Sequence, residues 1–146
     1  MRTVYRWWAT IVLLGIVVQV GFAGYGAFYV AHKVDKGVVN ESKFEDGFGL
    51  HAGFGYLVVL AGLLLLLIAL AARVGKRRTL QTLGLFGLLI LQVLLAWIGF
   101  GVPDVGFFHP INALAIFAFT GYLASTEWRT RADAPVADPE RPAATV

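Results

Sequence analysis

Four stretches of this 146-residue chain stay apolar for longer than a soluble core helix requires: roughly residues 7–30, 50–72, 80–101 and 107–125. A hydrocarbon layer about 30 Å thick is crossed by about 20 residues of α-helix at about 1.5 Å rise per residue. Each stretch meets that length. With 58% of the residues hydrophobic and 14% charged, little of the chain remains to lie outside lipid. The expected fold is all-α, a transmembrane up-down four-helix bundle, in one domain over residues 1–126. The segment over 127–146 turns to Pro, Ala, Arg and Asp without periodicity and is expected to be a disordered cytoplasmic tail. The first run follows two arginines, as a signal peptide does, but it is too long for one, and its polar Gln19 recurs in the third run.

Lysine and arginine set the orientation. With the amino terminus inside, nine of them (Arg2, Arg6, Arg73, Lys76, Arg77, Arg78, Arg129, Arg131 and Arg141) lie on the inner side and three (Lys33, Lys36 and Lys43) outside. The expected location is therefore the cell's inner (plasma) membrane, multi-pass, with both termini cytoplasmic. The net charge of +3 is a topology signal and gives no reason to expect a nucleic-acid partner. Cysteine is absent, so no disulfide, thiolate ligand or thioether haem attachment is available.

The chain is also a duplicated pair. Gln19-Val20-Gly21-Phe22-Ala23-Gly24-Tyr25-Gly26 in the first run matches Gln92-Val93-Leu94-Leu95-Ala96-Trp97-Ile98-Gly99 in the third at Gln, Val, Ala and Gly. The next run opens with His51-Ala52-Gly53 in one case and His109-Pro110-Ile111-Asn112 in the other. An amide in hydrocarbon must find partners, because an unsatisfied polar group there costs several kcal/mol. The expected answer is a helix-to-helix hydrogen bond, such as Gln19 to Gln92 across a pseudo-two-fold axis, with direct cofactor contact as the alternative. Residues 31–48 carry mixed charge and read as a solvated outer connection.

In an up-down bundle the second and fourth spans share a diagonal and run the same way, so His51 and His109 enter from one face at one depth. Neighbouring helix axes lie about 8–10 Å apart, which makes the diagonal about 11–14 Å, about the span of two imidazoles with an iron between them. Imidazole suits iron. Haem b with His51 and His109 as metal ligands is therefore the expected cofactor. Gly53, Gln19 and Gln92 are the further candidate cofactor-binding residues, and Lys33, Lys36 and Lys43 are placed to meet the propionates. Zinc or copper is a poorer fit with two histidines and no third ligand. No catalytic residue is assigned.

The Gln92-Val93-Leu94-Leu95-Ala96 stretch, the outer loop and His109 with Asn112-Ala113 resemble one four-helix half of the haem A synthase family, over about residues 10–125. More closely, the chain resembles a group of small, uncharacterised four-span bacterial membrane proteins with a histidine opening helix two and His-Pro-x-Asn opening helix four. The resemblance implies that His51 and His109 are axial haem ligands. Haem A synthases carry a catalytic glutamate ahead of the helix-two histidine; here Glu45 and Asp46 precede His51 by six and five residues, a loose match. The chain has half that family's length and lacks the outer-loop cysteine pair of some members, so a complete haem A synthase would require two chains to pair as a homodimer.

The leading expectation is a cytochrome b-like membrane protein serving electron transfer or haem handling, with a redox partner protein or a quinone as its counterpart. The alternative is a haem-free accessory or assembly subunit of a larger membrane complex, in which Gln19 and Gln92 are packing glue and the histidines are interfacial.

Overall fold

The computed structural model describes residues 1–37 and 40–132. Its helices are α1 (Arg2–Asp35), α2 (Glu41–Ala71), α3 (Lys76–Gly101), the one-turn α4 (Pro103–Gly106) and α5 (Phe108–Ala132). The four long helices are each apolar and long enough to cross a membrane. At 34 and 31 residues, α1 and α2 reach about 51 and 46 Å, well beyond a hydrocarbon core of about 30 Å. The charged stretch expected to be a solvated connection over 31–48 is therefore mostly the projecting ends of two helices. Asn40 caps α2 by accepting the Lys43 backbone N–H at 3.0 Å, and Glu41 follows in the first turn, where a negative charge favours the helix N-terminus. His32 and Lys33 in the last turn of α1 complement the opposite pole.

The carboxyl-terminal boundary also moves. Residues 127–132 continue α5 and do not belong to a disordered tail; the remainder of that expected tail, 133–146, lies outside the described residues. Side chains anchor this last stretch. The Trp128 ring carries the Arg6 guanidinium 4.4 Å above it, its Nε1 donates to Thr10 Oγ1 at 3.1 Å, and Glu127 pairs with Arg78 at 2.8 Å.

The long helices form a closed ring in which α1 packs on α2, α2 on α3, α3 on α5 and α5 on α1. Neither diagonal pair, α1 with α3 or α2 with α5, brings backbones into contact. This is the up-down arrangement. It gives the molecule a basic end, with the amino terminus, the α2–α3 turn and the end of α5, and a histidine end, with the other two connections. The turn at the basic end needs Gly75, whose φ of 104° is a conformation an L side chain rarely adopts.

Packing is uneven between the two ends. The buried cluster joins Tyr5, Ala9, Val12 and Ile16 to Val58, Leu65 and Ala69, to Leu85 and Leu89, and to Ile116, Leu123 and Ala124. All of it lies in the basic half. By contrast, none of residues 17–25, 48–57 or 90–111 is buried. In lipid, helix association rests on close packing and interhelical hydrogen bonds, because the tails are as apolar as leucine. The basic half supplies both. Thr82 Oγ1 donates to the Arg78 carbonyl at 2.9 Å, so the Tyr5 hydroxyl is the donor in the 2.7 Å bond between them. Tyr5→Phe leaves Thr82 bonded to its own helix but removes the α1–α3 link. It is expected to cost about 1 kcal/mol, read as a lower midpoint in detergent unfolding followed by circular dichroism; an unchanged midpoint would contradict the assignment.

Candidate metal centre

The histidine half is organised by two copies of one interhelical clamp. Gln19 Nε2 donates to the His51 backbone carbonyl at 2.7 Å, and the His51 Nδ1 lies 3.2 Å from the Gln19 backbone carbonyl. Gln92 Nε2 donates to the His109 carbonyl at 3.0 Å, and the His109 Nδ1 lies 3.1 Å from the Gln92 carbonyl. Each glutamine thus meets the histidine of the next helix, with side chain and backbone exchanged. The two glutamines do not bond to each other, as one sequence expectation had it. Gln19 lies 17 residues beyond the start of α1 and Gln92 16 beyond that of α3, so the two clamps sit at matching heights.

The glycine of the repeated frame belongs to the same device. Seven residues, about two helical turns, separate it from the glutamine on one helix face. A Cβ on Gly26 would come 2.9 Å from the Gly47 carbonyl and 2.7 Å from the Phe48 ring, and one on Gly99 would come 2.7 Å from Gly106 Cα. Gly47 and Gly106 precede His51 and His109 by four and three residues. In each repeat, glycine on glycine lets the backbones approach, and one or two turns away the glutamine takes hold of the histidine.

His51 is not at a helix start, as the sequence suggested: α2 begins ten residues earlier, at Glu41. His109 is the second residue of α5, and Pro110 falls in the first turn, where its missing N–H leaves no helical bond unmade. The clamps nonetheless bring the two imidazoles together. Their ring centres are 6.1 Å apart and their planes 68° inclined, although the helices that carry them make no backbone contact. Both rings are half-buried.

Their protonation follows from the clamp. A backbone carbonyl only accepts, so Nδ1 carries the proton on both rings, and the Nε2 lone pair is the one left for a ligand. A histidine that binds metal commonly donates its other N–H to a carbonyl in this way, which fixes tautomer and ring orientation. A nitrogen about 2 Å from a metal puts its imidazole centre about 3.1 Å from it, so two imidazoles on opposite sides of one ion have centres about 6.2 Å apart. The spacing of the pair matches that. Among the described residues no three His, Cys, Asp or Glu side chains gather into a cluster. Two imidazoles alone do not complete a tetrahedral zinc site; imidazole also suits iron, whose remaining positions another group would have to fill.

Of the other candidate residues, Gln19 and Gln92 hold the histidines through their own helices. Gly53 does not join them. It is about 200° around α2 from His51 at about 100° per residue, exposed, with nothing within 4 Å of the place a Cβ would occupy. Lys43 is bridged to Asp46 at 2.9 Å, and Lys33 lies 5.3 Å above the Tyr29 ring.

Two residues have a role that the sequence did not give them. Phe48 sets its ring 6.3 Å from His51, stacks on Phe44, and Phe44 in turn meets Phe100 of α3, forming an aromatic cap at the histidine end. Asn112, three residues after His109, donates to Gln92 Oε1 at 2.7 Å and to the Leu88 carbonyl at 3.0 Å. The equivalent position after His51 is Phe54, and Gln19 Oε1 is buried without a partner. The one-turn spacing of Phe48 and Asn112 from the histidines was the available signal in each case.

The profile of a family of unknown function, DUF6220, matches residues 19–99, more than half of the chain. The chain belongs to the DUF6220 family. The DUF6220 match runs from Gln19 to Gly99, so it takes in both glutamine-to-glycine frames and His51, and ends before Gly106, His109 and Asn112. No curated protein and no solved structure matches the chain.

The asymmetry between the clamps gives a direct comparison. Gln92→Leu removes the bond to His109 and strips Asn112 of an acceptor; Gln19→Leu removes one bond and also an unpartnered buried oxygen. Gln92→Leu is expected to destabilise by about 1 kcal/mol and Gln19→Leu by distinctly less, measured by reversible unfolding in mixed micelles. Equal losses, or the reverse order, would contradict the clamp geometry.

Proposed function

We propose that this protein is a membrane cytochrome b: a four-helix bundle that holds one haem b through His51 and His109. The observation that carries this reading is the pair itself, two imidazoles from separate repeats with Nδ1 tied back, Nε2 free, and ring centres 6.1 Å apart. When bound, haem would supply reversible one-electron chemistry, its potential set by the axial ligands, burial and neighbouring charge. The protein's part is to present both nitrogens in the right tautomer and to keep them there. With His51 and His109 both holding the group, the chemistry it would supply is electron transfer. Phe44, Phe48 and Phe100 would border the group at that end, and Lys33 and Lys36 there would balance carboxylates brought to the outer surface. The electron partner would be a redox protein or a quinone reaching the histidine end.

The excess of arginine and lysine at the opposite end supports placing that end, with both termini, in the cytoplasm of a cell whose inner membrane holds the protein. The resemblance to half of a haem A synthase supports the same ligand pair; nothing in the clamp requires the oxidase chemistry of that family.

A second reading has its own support. Both glutamines and both histidines already hold one another, as they would if the clamps served only to fasten helices in a haem-free accessory subunit. A visible spectrum separates the two. Full-length protein purified with haem supplied during expression is expected to show a Soret band and, after dithionite, sharp α and β bands; His51→Ala and His109→Ala should each abolish them while circular dichroism still reports helix. A colourless wild type, or a band untouched by replacing both histidines, would overturn the haem reading in favour of the accessory one.

A further inference from the structure

At the basic end, a cleft of about 570 Å³ opens between the amino terminus of α1, the α2–α3 turn and the last turns of α5. Arg2, Lys76, Arg77 and Arg78 line it, with Glu127 as its one acidic side chain and Tyr122 as an aromatic wall. Glu127 is committed to Arg78 at 2.8 Å. Arg2, Lys76 and Arg77 make no ion pair among the described residues. The other described acids, Asp35, Glu41, Glu45, Asp46 and Asp104, all lie towards the histidine end, so nothing nearby among the described residues neutralises the three cations.

The backbone adds to this. α3 starts at Lys76 with Gly75 as its N-cap and no side chain capping it, so unpaired N–H groups and the positive pole of a 26-residue helix end at the cleft wall. The sequence explains a basic end as a topology signal, but a topology signal requires only that the charges lie on one side. Here they converge on one concavity of a size that holds a small ligand, where guanidinium, ammonium and helix N-terminus all favour an oxyanion. Tyr122 supplies the apolar neighbour that a purely aqueous anion would not need.

We propose that this cleft is a binding site for a phosphate ester, supplied by the headgroup of an anionic phospholipid. The lipid source is favoured over free phosphate because the cleft lies where four spanning helices leave the bilayer, and basic pockets between helices at that level suit anionic headgroups. The site is separate from the histidine pair and stands or falls independently of haem.

The test is native mass spectrometry of the full chain released from detergent micelles containing dihexanoyl-phosphatidylglycerol, dihexanoyl-phosphatidylcholine or inorganic phosphate. One phosphatidylglycerol should be retained per chain, with retention about tenfold or more above that of phosphatidylcholine. Lys76→Gln with Arg77→Gln, and separately Arg2→Gln, should lower it by a similar factor, while Lys33→Gln with Lys36→Gln at the histidine end should leave it unchanged. Because these side chains are exposed, the variants are expected to fold, checked by circular dichroism. Equal retention of the two lipids, full retention in both basic-end variants, or equal loss in the histidine-end variant would overturn the site. Inorganic phosphate competing as well as phosphatidylglycerol at equal concentration would overturn the lipid assignment.

Discussion

An amide group inside hydrocarbon has no water to turn to, and the histidine half of this bundle is built around that constraint. Each glutamine could have been satisfied by its twin or by a ligand. Instead, each reaches the backbone carbonyl of the histidine on the next helix and receives that histidine's ring on its own carbonyl. A carbonyl already bonded within its helix still has a second lone pair, so both contacts are made without breaking a helical bond. One reciprocal exchange satisfies the glutamine donor, fixes the ring tautomer and sets the height of two helices.

The rest of the structure follows from having this exchange twice. The basic half is close-packed by ordinary side chains, with the Tyr5–Thr82 bond, the Trp8 Nε1 donation to the Ala61 carbonyl, the Arg78–Glu127 pair and the Trp128 contacts as polar links between its helices. The histidine half is held by the clamps and by the glycine approaches at Gly26 and Gly99, and contributes nothing to the buried apolar cluster. The two repeats are not equivalent: Asn112 completes the second clamp, whereas Phe54 leaves Gln19 Oε1 unpartnered in the first. The His109 side is the more firmly set of the two.

Much of this was legible in the chain. Four uncharged apolar runs dictate four helices, and the duplicated Gln-Val-x-x-Ala-x-x-Gly frame announces the repeat and points to His51 and His109. The helix ends were not legible. Residues 31–48 look like a polar loop because their charges were weighed as composition, whereas the Asn40 cap lets α2 start ten residues ahead of His51. The glutamine partners were illegible for a different reason: a backbone carbonyl has no sequence signature, so the only side-chain partner in view was the other glutamine. Gly53 drew notice by standing next to His51 in sequence, but two residues along a helix is nearly the opposite face.

The central claim is that two repeats contribute one histidine each to a single iron. Electron paramagnetic resonance of the oxidised, haem-loaded protein tests it most directly, because two imidazole ligands give a low-spin ferric centre and one does not. The account predicts a low-spin signal in the wild type that becomes high-spin when either His51 or His109 is replaced by alanine. A high-spin signal in the wild type, or a low-spin signal that survives either replacement, would contradict it.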